Sequence, residues 1–257
     1  MTSNNILKMT PEDFLHQVKI LAQIPSLTET IAIRQVVRSA AEKLNIDISP
    51  QELQESADLF RNMHRLHSAE DTFTWLAQHH LSLDDFEEMI HGTLLYKKVS
   101  ERLFAEKVEP YFYEHRLAYE QATLYEIVLE DDDLAAELYY AIQEEEISFS
   151  EAARQYIKDE QLRRVGGYRG SLSRKDLKPE ISAAVFAATT PTLLKPILTA
   201  QGSHLIFVEE VIPAQLNDVL RIQIQTKLFM DWAKEKAQNF KIDFVPSQAT
   251  ELATKVS

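Results

Sequence analysis

Gln201-Gly202-Ser203-His204-Leu205-Ile206-Phe207-Val208-Glu209-Glu210 is the stretch on which the fold turns. A glycine leads straight into an apolar run, which predicts a strand from Ser203 to Val211. His204 is the only histidine in the C-terminal half. Upstream stands a second glycine stretch, Gly166-Gly167-Tyr168-Arg169-Gly170, and these two places hold four of the chain's five glycines. Glycine permits positive φ and close backbone approach. A chain otherwise sparing of glycine therefore marks one small region, which we take as the functional centre.

Working outward, the middle of the chain reads as an α+β unit. Ala122 to Leu129 is a strand candidate. A helix follows over 132–145, then another through Ser150 to Tyr156, with Ser148 or Ser150 able to cap it. After the glycine loop come a short helix from Pro179 to Ala187 and two strand candidates, Leu194 to Leu198 and Ser203 to Val211. The order β-α-α-loop-α-β-β places this unit in the α+β class. Charge divides it. No lysine or arginine occurs from Leu117 to Ala153, a stretch holding Glu126, Glu130 to Asp133, Glu137 and Glu144 to Glu146. That run lacks the glycine-bearing twelve-residue pattern of a calcium loop and reads as a solvated face. Past it the sign flips at Arg163, Arg164, Arg169, Arg174, Lys175 and Lys178.

The first 120 residues read as helices. Thr10-Pro11-Glu12-Asp13 and the capping box Ser49-Pro50-Gln51-Glu52 each open one. Others are expected over 28–44, from Ser68, from Ser82, and around Val108 to Tyr113 with Pro110 in its first turn. Gln215 to Phe240 reads as one long helix whose apolar surface is broad enough to need a large partner, for which the N-terminal helices are the expectation. Lys241 to Val245 is a candidate short strand. His16, His64, His67, His79, His80, His91 and His115 lie in this first half; no carboxylate at ligand spacing completes a zinc set, so they read as surface histidines and no metal is expected.

The 257 residues carry a net charge of −13 and no cysteine. A strongly acidic chain is a poor ligand for phosphate backbones, which argues against nucleic-acid partners. Without cysteine, thiol catalysis, disulfides and thiolate metal sites are excluded. No stretch approaches the ~18 apolar residues of a membrane span. The N-terminus shows no basic region followed by an apolar one, and the expected location is the cytoplasm.

The middle unit resembles a parvulin-type peptidyl-prolyl isomerase. The resemblance is carried by Tyr125-Glu126-Ile127-Val128-Leu129, Phe149-Ser150-Glu151-Ala152-Ala153, Asp159, Gly166-Gly167, Pro179-Glu180, Ala183-Ala184-Val185-Phe186 and Gly202-Ser203-His204-Leu205-Ile206, in the family's order. The N-terminal helices are similar to the chaperone domain of SurA-like and PrsA-like foldases, through Ser49 to Leu53, Leu81 to Phe86 and Val108 to Phe112. The organisation implied is an all-helical domain (1–120), a parvulin-like domain with a small antiparallel sheet and surrounding helices (121–213), and a C-terminal helix and tail (214–257) that return to complete the first domain.

The resemblance implies a catalyst of prolyl rotation that needs no cofactor. The family's proline pocket matches Leu177, Ile181 and Phe186, which plain core packing would equally explain. His204 matches the second of the family's two strand histidines and Asp159 its acid. The first histidine is replaced by Glu126, or by Tyr125 if the register slips by one; the glycine loop is altered to Gly166 through Gly170. A glutamate in a central strand is costly to bury alone, so Glu126 is expected to hydrogen-bond His204 across the sheet. Arg163, Arg164, Arg169 and Arg174 either favour acidic residues beside a bound proline or answer the chain's own acidic run. Two functions stand: a foldase that binds proline-containing client segments and isomerises them, or an inactive parvulin-like peptide-binding scaffold serving a dedicated client.

Overall fold

A computed structural model of the chain describes residues 8–243. The helices are α1 (Pro11–Ile20), α2 (Ile24–Lys43), α3 (Pro50–Met63), α4 (Ala69–Gln78), α5 (Leu83–Glu114), α6 (Asp132–Gln143), α7 (Phe149–Tyr156), α8 (Glu160–Arg164), α9 (Pro179–Ala187) and α10 (Asp218–Ala237). The strands are β1 (Gln121–Leu129), β2 (Tyr168–Ser173), β3 (Thr192–Leu193), β4 (Ile197–Thr199) and β5 (Gly202–Ile212). The described residues form two compact units, 8–108 with 219–243, and Glu109–Asp218.

The helical unit starts its helices where the capping signals stand. Thr10, Ser49 and Ser68 each close a reciprocal capping box, with Asp13, Glu52 and Asp71. Ser82 does the same with Asp85. Its core joins Ile33, Val36 and Val37 of α2 to Leu95, Val99 and Phe104 of α5 and to Phe229, Ala233 and Ala237 of α10. The last long helix therefore shares its core with α2 and α5. The separate helix expected around Pro110 does not exist, because α5 runs straight through that proline to Glu114. Val108 and Phe112 are buried on either side of it, and an apolar face that keeps its burial outweighs one missing backbone bond. Phe14 of α1 and its C-cap Leu21 are exposed, and no residue of that helix is buried. Lys241 to Asp243 form no strand; Phe244 and Val245 lie outside the described residues.

The second unit is built on an antiparallel sheet in the order β2-β1-β5-β3, with β4 also on β5. Alternation along β1 and β5 sorts their side chains to two faces. Ile127, Leu129 and Leu205 pack under Ala135 and Leu138 of α6 and Ala152 and Ala153 of α7. Ala122, Leu124, Ile206 and Val208 face the other way, onto Ile181 and Val185 of α9. Ser148, not Ser150, caps α7. Of the strand expected over 194–198 only Ile197 and Leu198 belong to one, β4; β3 ends before that range, and Pro196, with no N–H for a ladder, lies between the two. Residues 168–173, expected to be loop, form edge strand β2, and α8 precedes them.

The glycines hold β1 in place. A Cβ on Gly202 (φ +122°) would lie 2.3 Å from the Leu129 carbonyl oxygen, and one on Gly167 (φ +83°) 2.9 Å from that of Glu126. Both positions combine positive φ with a backbone approach that no side chain allows.

Candidate functional site

Strand pairing sets the site. Val128 stands opposite His204, and Glu126 opposite Ile206. Glu126 and His204 thus fall two residues out of register on one face, close enough for their side chains to meet. His204 Nδ1 lies 2.7 Å from Glu126 Oε1, with the two residues 3% and 8% exposed. The hydrogen bond expected between them is present, and the register makes the glutamate, not Tyr125, the neighbour of the histidine.

The pair is the centre of a longer polar chain. Arg169 of β2 lies 3.2 Å from Glu126 Oε2. On the other side His204 Nε2 is 2.8 Å from the Thr199 hydroxyl. That hydroxyl accepts from Lys178 Nζ at 3.1 Å and from the Gln201 N–H at 3.1 Å. Thr199 is there because β4 pairs it with Gly202 and sets Ile197 against His204. Lys178 is the N-cap residue of α9. Sequence reasoning names Lys178 only as one of the basic residues past the acidic run, and it does not single out Thr199. Their placement depends on a three-residue strand whose register carries no signal of its own.

Beside the polar chain lies an apolar surface. Leu177, Ile181 and Phe186 share one cluster with Leu124, Val185, Ile206 and Val208, and Ile197 packs against it. Ile181, 3% exposed, is core beneath that surface; Leu177 and Phe186 are half-buried and form its reachable part. The Arg174 guanidinium sits 4.1 Å from the Phe186 ring centre. It also holds the Leu117 carbonyl at 3.1 Å and Glu120 at 2.9 Å.

Two residues singled out with this group make contacts of their own. Asp159 is exposed and caps α8, its carboxylate accepting from the Leu162 N–H at 2.7 Å. Asp159-Glu160-Gln161-Leu162 is an ordinary helix start, which ties one carboxylate oxygen to backbone. Tyr125, being odd-numbered on β1, points to the opposite face, where it meets Phe149, Tyr168 and Phe207 at ring separations of 5.2–6.2 Å. Burial, and then the nearby Glu209, push its phenol pKa up. Two of the arginines answer the chain's own acidic stretch, Arg169 pairing with Glu126 and Arg174 with Glu120, while Arg164 pairs with Glu160 of its own helix. In the helical unit, His64 stacks on Phe60 and His79 on Trp75. Among the described residues, no three histidine, aspartate or glutamate side chains gather as a metal site would require.

Residues 130–210 match the rotamase family, the PPIC-type PPIase domain. The middle unit is a parvulin-type domain. The matched segment of this parvulin-type domain begins one residue past β1, so it contains His204, Thr199 and Lys178 but not Glu126. The chain is 24% identical over 209 residues to the foldase protein PrsA of Oceanobacillus iheyensis, covering 79% of this chain and 65% of that protein. It is 21% identical over 194 residues to PrsA of Caldanaerobacter subterraneus, covering 76% and 59%. The chain thus spans about two thirds or less of the length of these relatives. The crystal structure of the peptidylprolyl isomerase PrsA from Bacillus cereus superposes with a TM-score of 0.50 at 14% identity, covering 99% of this chain and 98% of that one. The likeness is one of fold: a helical domain joined to a parvulin-type domain.

Proposed function

We propose that the protein is a foldase that binds proline-containing segments of client polypeptides on the His204 face of its parvulin-type domain and speeds their cis/trans isomerisation. The observation that carries this reading is the buried Glu126–His204 pair on the same sheet face as half-buried Leu177 and Phe186. Rotation about a prolyl bond faces a barrier near ~18–20 kcal/mol, because the planar amide is stabilised by resonance. A site lowers that barrier by holding the twisted bond better than the planar one. Leu177 and Phe186 offer the pyrrolidine ring an apolar seat. His204, too buried to meet a client freely, braces β4 and β5 at the edge of that seat, and exposed Arg169 is the end of the polar chain open to the client. The first unit takes the holding role, with Phe14, Ile31, Leu59 and Met63 as exposed apolar contacts for unfolded chain. The location belonging to this reading is the cytoplasm, which cell fractionation with a tagged chain checks.

A second reading has its own observation. Glu126 stands where the resemblance puts a histidine, and it is tied to Arg169; a peptide-docking surface without turnover fits that departure. A protease-coupled assay on proline peptides, run alongside a binding titration, separates the two. The foldase reading expects a rate above the uncatalysed one that drops for Phe186→Ala. Binding with no acceleration leaves only the scaffold, and absence of binding removes both.

A further inference from the structure

We propose that Lys178 is a positioning residue for His204: through the Thr199 hydroxyl it holds the imidazole neutral, with its one ring proton on Nδ1. The argument is one of donors and acceptors. A threonine hydroxyl has one proton to give and two lone pairs to fill. Both lone pairs of Thr199 are taken, by Lys178 Nζ at 3.1 Å and by the Gln201 N–H at 3.1 Å. Its proton then has two possible acceptors, His204 Nε2 at 2.8 Å and the Gly202 carbonyl at 3.4 Å. The shorter contact wins, because a bond at 3.4 Å lies outside the usual O–H···O range. Nε2 is therefore an acceptor and carries no proton. The ring's hydrogen must sit on Nδ1, where the Glu126 carboxylate receives it at 2.7 Å.

The surroundings agree from both sides. Glu126 faces the ring from β1 with Arg169 of β2 behind it, and Thr199 faces it from β4 with Lys178 behind it. A cation thus stands at each end of the chain, and the donations run inward from both. Adding a proton at Nε2 would set two donors against each other unless Thr199 turned its hydrogen to the distant Gly202 carbonyl and accepted a third bond. Lys178 is half-buried, and the hydroxyl is the hydrogen-bond partner that the structure gives it. Removing the ammonium frees one lone pair of Thr199, and that lone pair can then accept from an Nε2–H.

The inference rests on the proline-site reading only for its consequence in turnover. Its test needs no substrate, so an inactive protein still decides it. The ring nitrogens of His204 are read by long-range 1H–15N correlation in the full chain labelled on histidine. The expected wild-type pattern is a protonated Nδ1 and an unprotonated Nε2. In Lys178→Met the Nε2 resonance should move towards the protonated position, and Lys178→Arg should restore it. A wild-type ring protonated at Nε2, or a Lys178→Met pattern identical to wild type, would overturn the proposal. If Lys178→Met loses its folded amide spectrum, Thr199→Val, which removes the donor itself, must shift the same resonance, and an unshifted Nε2 there also overturns it.

Discussion

Glu126 spends one oxygen on His204 and the other on Arg169. A buried polar group stripped of its partner costs about 1–3 kcal/mol. Glu126→Ala strands the Nδ1–H of a histidine that is 3% exposed, and a loss of about 2 kcal/mol is expected in urea unfolding. Glu126→Gln keeps an oxygen for that N–H and gives up only the charge assistance, for a loss of about 1 kcal/mol or less. Equal losses in the two variants would contradict this account of the pair. The pair was legible in the sequence because a carboxylate in a buried strand needs a partner and the late histidine sat in the neighbouring strand. Asp159 carries a local mark of its own: three residues ahead of Leu162, it caps α8 through one carboxylate oxygen. Thr199 and Lys178 had no such local mark.

At the scale of elements, what announced itself was the beginnings. A hydroxyl three residues before an acid located α1, α3, α4 and α5, since the reciprocal bonds are fixed by chain spacing alone. Proline misled where tertiary burial overrode it. Pro110 reads as a first-turn residue, yet it lies inside α5. There it removes one hydrogen bond and crowds the preceding turn, at a cost of ~3 kcal/mol in a helix interior. Pro110→Ala should therefore raise stability, by about 1–3 kcal/mol once the looser unfolded chain is counted. A thermal melt lower than wild type would show that the proline is needed there. Strand β2 was missed because Arg169, Gly170 and Ser171 look like loop chemistry. Its pairing comes from β1, forty-odd residues away in the chain, and such long-range pairing leaves little trace in local propensity.

At the scale of the whole molecule, the caps predict a loss of stability in acid. Hydrogen bonds to Thr10, Ser68, Ser82, Ser148 and Ser173 hold Asp13, Asp71, Asp85, Glu151 and Asp176 below their ordinary carboxylate values. Glu52 falls from 4.5 to about 2, first through its bond with Lys98 and then through Ser49. Unfolded, these groups take up protons at their ordinary values; folded, only at lower ones. Their stabilisation is thus complete above the ordinary value and is lost as pH falls through the folded one. For Glu52 that window runs from 4.5 down to about 2. The melting temperature should fall steeply within it, and Lys98→Met should flatten the fall. A Lys98→Met profile parallel to wild type would contradict the assignment. The most direct test of the central claim is to titrate the 15N-labelled protein with a short proline-containing peptide and map the amide shifts. The account predicts changes gathered at Leu177, Phe186, Ile197, Thr199 and His204. Changes gathered instead around Tyr125, Phe149 and Tyr168 on the opposite face, or no saturable change in the parvulin-type domain, would contradict it.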